Sequence, residues 1–477
     1  MKFLAALGLA SAASAHTLFT TFLVDGENQG DGTCVRQPSD PSTANSPIYP
    51  LDGANQACGR DGNTAVPYVC PASGGSTITF IYREHPGGEK TGAIAEGHKG
   101  PCSVYLKKVD DMFNDSAAGD GWFKIWEDGY DVKNDKWCTD TLIENNGLLS
   151  VKLPSGLPAG YYLARPELIA LHAVAEDNDP QFYHGCAQIF IENGPEGPLE
   201  IPEEYSVSIP GYIQADHPGI NFNIYYPTPL PEYPIPGPKV YIPKSDVTDT
   251  KKQLKEGAIP SDCVIKNANW CAKPIPSYSA DVAKCWDGVD NCWAQSKTCW
   301  DSVPPSGYSN CDIWADYCES MGDKCDAGDY EGPPKFTAKE KFVALPGNIP
   351  APYGNFNETK VDSGSPSPTQ PAPTANESAN EPTQSEPVTE TQTPETPEAP
   401  ETNEDYEDDE NDDEEDVSPV PEQPLLKVSE NGSCGGATGQ TCKGSSFGDC
   451  CSKKGKCGRK TKHCTCGCQP GFGTCKQ

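Results

Sequence analysis

The chain has 477 residues, 23 cysteines and a net charge of −33. That charge excludes nucleic acid as a partner of the chain as a whole, because phosphates would be repelled. The cysteine content excludes a reducing compartment, where disulfides do not persist, and its odd count leaves at least one cysteine without an intramolecular partner.

The chain begins MKFLAALGLASAASA, which is one lysine, a short apolar run and the small-residue ending Ala13-Ser14-Ala15. This pattern predicts a secretory signal over residues 1–15 and makes His16 the first residue of the mature chain. The run is too short to cross a membrane as a helix, and no other segment is long and apolar enough. No hydrophobic tail suggests a lipid anchor. The expectation is a secreted, extracellular protein with no membrane span. Asn-x-Ser/Thr sites at Asn114, Asn357, Asn376 and Asn431 are compatible with that route.

Residues 16–245 alternate apolar and polar positions in short runs, as in Thr77-Ile78-Thr79-Phe80-Ile81-Tyr82, Ser103-Val104-Tyr105-Leu106 and Asn221-Phe222-Asn223-Ile224-Tyr225. Gly, Pro and Asn turns separate them. The pattern predicts an antiparallel β-sandwich, immunoglobulin-like or fibronectin-like, in a mainly β protein.

Residues 250–335 change character. Cys285, Cys292 and Cys299 are spaced by seven, as are Cys311, Cys318 and Cys325. Seven residues make nearly two helical turns, so each triple lines one face of a helix. Pro304, Pro305 and Gly307 mark a turn between them. The spacing predicts a helical hairpin with rungs Cys299–Cys311, Cys292–Cys318 and Cys285–Cys325, with Cys263 and Cys271 paired locally.

Residues 354–430 are rich in Pro, Ser, Thr and Glu, and 12 of the 16 residues from Glu401 to Asp416 are acidic. Such a stretch cannot bury enough apolar surface to offset chain entropy, and it reads as an extended, disordered spacer. Residues 434–475 hold nine cysteines and several lysines. A piece that small needs disulfide staples in place of a core.

A mature N-terminal His16 offers two nitrogens, its α-amine and its imidazole. A bidentate nitrogen chelate suits copper, and a second histidine would add a third nitrogen. The others are His85, His98, His172, His184, His217 and His463.

His98-Lys99-Gly100-Pro101 followed by Val104-Tyr105-Leu106 resembles a segment of the fungal lytic polysaccharide monooxygenases of auxiliary activity family nine. Leu171-His172, Pro180-Gln181-Phe182-Tyr183 and Cys186-Ala187-Gln188 resemble another. Pro210-Gly211-Tyr212, Pro218-Gly219-Ile220, Ile224-Tyr225 and Ile235-Pro236-Gly237-Pro238 follow in the family's order, and the opening HTLFTTFLVDG also fits. The resemblance covers residues 16 to about 241.

It implies that His16 and His98 hold one copper ion, with Tyr183 in an axial position. His172 and Gln181 would hydrogen-bond an oxygen species beside it. Gln181 and Tyr183, two apart, share a face if they lie on a strand. His85 is the rival third ligand. The resemblance also implies a disulfide between Cys58 and Cys186, and the pairing of Cys34, Cys70, Cys102 and Cys138 stays open. The implied chemistry is oxidative cleavage of a glycosidic bond with dioxygen or hydrogen peroxide as co-substrate and an external electron donor. Tyr233 is a candidate for stacking on sugar.

The pattern Cys434-Gly435-Gly436, Cys442, Cys450-Cys451-Ser452, Cys457-Gly458, Cys464, Cys468 and Cys475 resembles a hevein-type chitin-binding module (carbohydrate-binding module family 18), with Cys466 as the extra cysteine. Ser452 is the retained sugar contact of that resemblance. Lys454, Lys456 and His463 stand where aromatic residues are expected, which implies weak or altered chitin binding. The expected partner is a polysaccharide, cellulose or a related β-1,4-glucan first, chitin or a fungal cell-wall polymer second. A monomer and a reductant or redox partner complete the expectation. The alternative is a copper-binding cell-wall scaffold or carbohydrate-binding protein without cleavage activity.

Overall fold

Strand and helix follow from the two hydrophobic periods, and a computed structural model shows where each runs. It describes residues 16–244, 250–353 and 427–475, except 430, 431, 436, 437, 446, 459, 460, 465–467 and 470. The expected signal, nearly all of the expected spacer and Cys466 lie outside the described residues.

One sheet contains β1 (Leu18–Val24), β2 (Glu27–Asp31), β5 (Thr77–Arg83) and β10 (Leu148–Lys152), in the order β10-β5-β1-β2. The larger sheet contains β3 (Val35–Arg36), β6 (Cys102–Val109), β7 (Gly119–Asp128), β11 (Gly160–Ala173), β13 (Cys186–Ile191) and β15 (Ser206–Ile209), in the order β15-β7-β6-β11-β13-β3. Here β12 (Asp179–His184) pairs with β11, and β4 (Cys70–Ala72) lies parallel to β13. Short ribbons join β8 (Tyr130–Asp131) to β9 (Lys136–Trp137), β14 (Asn193–Gly194) to β16 (Thr250–Lys251), and β17 (Lys266–Asn267) to β18 (Trp270–Cys271). Helix α1 (Cys138–Glu144) follows β9, and the single turn α2 (Val174–Asp177) links β11 to β12.

Inward residues of the two sheets, among them Phe22, Phe80, Val104, Phe123, Leu149 and Ile189, form one core. A second core with Trp122, Trp137, Leu163, Leu171, Phe182 and Tyr212 covers the other face of the large sheet. Burial on both faces explains why β11 is buried without interruption from Tyr162 through Leu171 rather than alternating.

That second core contains charge. Arg165 donates to the Glu167 carboxylate at 2.6 Å and, through Nε and Nη2, to the Gln56 carbonyl at 3.1 and 2.9 Å. Tyr212 donates a short hydrogen bond to the same carboxylate.

The run Asn221–Tyr225, expected as a strand, is a loop. Its alternation has a different origin. Ile224 turns into the second core, whereas Tyr225 and Tyr226 are exposed, and Asn223 Oδ1 accepts their backbone N–H groups at 2.8 and 3.2 Å. The asparagine side chain supplies locally what a neighbouring strand would otherwise provide.

Helices α3 (Val282–Asp301) and α4 (Ser309–Asp326) form the hairpin. Asp281 caps α3 by accepting the Lys284 N–H at 3.1 Å. The rungs are Cys285–Cys325, Cys292–Cys318 and Cys299–Cys311, and Cys263 joins Cys271. Trp314, Met321 and Val289 pack between the rungs. The region is fastened to the sandwich by Asn269, which accepts from the Cys34 N–H and donates to the Gly32 carbonyl. Within the sandwich the open pairings resolve as Cys34–Cys70 and Cys102–Cys138.

The small C-terminal piece pairs Cys434–Cys451, Cys442–Cys457, Cys450–Cys464 and Cys468–Cys475. Its interior is little more than Cys434, Cys442 and Cys451 with Cys457 and Phe472 against them. Cross-links replace an apolar core here.

The buried ion pair sets a stability prediction. Glu167→Ala strands the Arg165 cation and is expected to cost about 3–5 kcal/mol in chemical unfolding. Tyr212→Phe removes one donor but leaves the pair, at an expected cost of about 1–3 kcal/mol. Equal costs for the two would contradict this reading.

Candidate metal centre

The site is assembled at the ends of strands. His16 stands two residues before β1, and the Thr17 hydroxyl fixes this end by donating to the Ala93 carbonyl at 2.5 Å. His98 lies in the loop before β6. Its neighbour Lys99 accepts the Leu171 N–H at 2.9 Å, and Pro101 accepts the Ile169 N–H at 3.2 Å. The loop therefore extends the ladder of β11. Gly100 makes the approach possible, since a Cβ there would sit 1.7 Å from the Ile169 carbonyl oxygen.

His172 ends β11. In the pairing of β11 with β12, Leu168 faces Tyr183 and Ala170 faces Gln181. Gln181 and Tyr183 therefore share a face.

These residues converge. The His16 and His98 rings are 6.0 Å apart between centroids and perpendicular, at 89°. Tyr183 is 6.1 Å from His16 and 6.2 Å from His98. His172 lies 4.0 Å from His98. The Tyr183 hydroxyl donates to Gln181 Oε1 at 2.7 Å, and Gln181 Nε2 donates to Asp179 Oδ2 at 3.1 Å. Tyr49 donates to the other Asp179 oxygen at 2.5 Å. Asp179 and Tyr49 were not marked by the sequence, because no spacing links them and only the fold does.

Two ring nitrogens, His98 Nε2 and His172 Nδ1, are buried and have no hydrogen-bond partner. Leaving such atoms unpaired is costly unless something else engages them. Burial holds the His98 pKa down at about 4, with His172 and His16 adding to the effect. Burial also lowers His16 and His172. Each shift favours the neutral ring, the form that binds metal. With residues 1–15 removed as the sequence predicts, two imidazoles and the α-amine of His16 would form a nitrogen donor set that fits copper.

The remaining residues separate from this group. His85 lies 3.8 Å from Glu89 and is not part of it. His184 is bonded to the Asn55 carbonyl, and His217 accepts the Gly219 N–H. Cys58 is joined to Cys186, which ties an early loop to the start of β13. Ser452 belongs to the C-terminal piece, where its hydroxyl accepts the Lys456 N–H.

Tyr233 is corrected. It is 6% exposed, donates to the Gly219 carbonyl at 2.8 Å and packs edge-on against Trp137 and Phe222. It is a core residue and has no face to offer a sugar. Tyr225 and Tyr226 are 50% and 73% exposed, and the Tyr225 hydroxyl donates to the His172 carbonyl at 3.2 Å. Exposed aromatic surface beside the site therefore includes Tyr225, and Tyr49, which is 47% exposed and bonded to Asp179.

The family model of auxiliary activity family 9 (formerly GH61) matches residues 16–233. The AA9 family lytic polysaccharide monooxygenase H of Botryotinia fuckeliana is 39% identical over 478 residues, covering 97% of this chain and 96% of that protein. This chain belongs to auxiliary activity family 9. The AA9 family lytic polysaccharide monooxygenase C of Aspergillus tamarii is 48% identical over 337 residues, 68% of this chain and 89% of that protein. Another member, monooxygenase D of Malbranchea cinnamomea, is 43% identical over 239 residues, 50% of this chain and 96% of its own length.

Two predictions concern this family member's site. His98→Ala is expected to weaken copper binding at least as much as loss of an orienting partner does, by about 100-fold, in calorimetric titration. A chain carrying one extra residue before His16 should be weakened comparably, because its α-amine is gone. Binding left intact in both variants would place the metal elsewhere.

The second prediction is a pH dependence. Below 6.5 the unfolded chain protonates His98, whereas the folded protein resists until about 4. Stability of the metal-stripped protein should therefore fall as pH drops through that window. His98→Asn should flatten the slope of the thermal midpoint against pH. The other depressed histidines, His16, His172, His184 and His217, account for slope that remains.

Proposed function

We propose that this protein is a secreted copper monooxygenase that oxidatively cleaves β-1,4-linked polysaccharide. Cellulose or a related glucan is the first substrate class, and chitin or a cell-wall polymer the second. The observation that carries the reading is the convergence of His16, His98, Tyr183, Gln181 and His172 around unpartnered buried nitrogens. Bound copper supplies one-electron redox chemistry toward dioxygen or hydrogen peroxide, with electrons from an external donor.

The side chains divide the remaining work. His16 and His98 would hold the ion. Burial keeps the Tyr183 phenol protonated, and Gln181 holds its hydroxyl, so a neutral oxygen closes that side. Asp179 fixes the Gln181 amide, itself oriented by Tyr49. His172, whose ring lies 4.0 Å from that of His98, would be the hydrogen-bonding group for the oxygen co-substrate. Tyr225 and Tyr226 offer ring faces to the polymer. The doubled Cys450-Cys451 and the cross-links of the C-terminal piece support a chitin-binding-type module.

The copper-loaded protein, given a reductant and cellulose or chitin, should release oxidised oligosaccharides detectable by mass spectrometry. Copper binding without products across a broad panel of polysaccharides would favour the wall-scaffold alternative. Tyr225→Ala with Tyr226→Ala should weaken adsorption to the cleaved polymer by about two- to tenfold, the worth of one aromatic contact.

A further inference from the structure

Each cysteine on α3 is followed by a tryptophan, giving Cys285-Trp286, Cys292-Trp293 and Cys299-Trp300. The cysteines account for the hairpin, but the tryptophans do not. Residues seven apart on a helix advance about 10.5 Å and nearly two turns, so the indoles form a row beside the disulfide rungs. The hairpin core already has Trp314, which is 1% exposed. In contrast, Trp286 is 38% exposed, and Trp293 and Trp300 are half-buried.

The C-terminal module meets this row. Lys453 Nζ lies 4.8 Å from the centre of the Trp300 ring and 5.5 Å from that of Tyr308, and it pairs with Asp312. Lys454 pairs with Glu319 at 3.3 Å. A cation held between aromatic rings and a carboxylate is a specific anchor. Beyond it runs a groove of about 230 Å³, with Trp293 and Trp300 on one wall and Ser452, Lys454 and Lys456 on the other.

We propose that this groove is a second carbohydrate-binding site, which takes a β-1,4-linked pyranose chain. Trp300 holds the module through Lys453. Trp293 supplies the stacking surface, and Trp286 extends it along the helix. Such a chain is flat, its rings show C–H faces above and below, and alternate rings repeat the same orientation. A row of indoles two helical turns apart is spaced close to that two-ring repeat. The Ser452 hydroxyl and the lysine ammonium groups provide donors for ring hydroxyls or acetamide oxygens. The hairpin thereby contributes the aromatic surface that the module lacks at Lys454, Lys456 and His463. This site shares no residue with the metal centre, so either assignment can fail without the other.

The test is adsorption of the full-length, disulfide-intact protein to chitin and to cellulose, without reductant. The double variant Trp286→Ala, Trp293→Ala should partition at least fivefold less to one of them, and the polymer with the larger loss identifies the sugar. Trp293→Tyr should recover part of the loss. Lys453→Glu, which breaks the anchor, should weaken adsorption by a similar factor. Cleavage of a soluble oligosaccharide should not change in any of these variants. Unchanged adsorption of the double variant on both polymers overturns the proposal. Stronger adsorption by Lys453→Glu also overturns it, because the module would then be covering the tryptophans instead of sharing a groove with them. If free thiols appear in the double variant, the single variants Trp286→Ala and Trp293→Tyr decide the matter by the same criteria.

Discussion

The backbone ladder of β11 governs this molecule. Its fourteen residues hydrogen-bond to β6, β12 and β13. The same ladder continues into the His98 loop through Leu171 and Lys99. One register thus places His98, His172, Gln181 and Tyr183 together. A slip of one residue would turn every side chain of β12 to the opposite face. The buried Arg165–Glu167 pair lies on one face of this strand, where the Gln56 carbonyl and the Tyr212 hydroxyl complete its hydrogen bonds. Gly100 adds a steric lock, since only a residue without Cβ lets the loop lie against Ile169.

Parts of this arrangement were legible in the sequence because they obey a period. Two-residue alternation gave β5 and β6. Seven-residue cysteine spacing gave α3, α4 and the order of their rungs, since a covalent bond leaves little freedom once the faces are known. The metal-centre residues were legible through ordered motifs, with geometry supplied only by the fold. What escaped was whatever depends on which face of a loop meets solvent. Asn221–Tyr225 alternates like a strand, yet an asparagine side chain bonds its backbone internally. Tyr233 looked available for sugar because it precedes a family motif, but the second core covers it. Asp179 and Tyr49 lie 130 residues apart and meet only when β12 forms.

The chain uses two ways of holding shape, divided along its length. The sandwich buries large apolar side chains on both faces of one sheet, and its disulfides tie loops to that framework. The hairpin and the C-terminal module rely on cross-links, with few apolar residues per rung. A cross-linked helix can spare large aromatic residues from packing, because its stability is partly secured in the unfolded state. Trp286 can therefore face outward, and Trp293 and Trp300 can stay half-buried, without loosening the helix that carries them.

One small contact joins the two sides of the enzyme's working face. The Tyr225 hydroxyl is bonded to the backbone carbonyl of His172. The exposed ring and the imidazole beside the metal centre are thus parts of one lever. Under the proposed function, a polymer resting on that ring would press, through this one hydrogen bond, on the backbone that carries the imidazole.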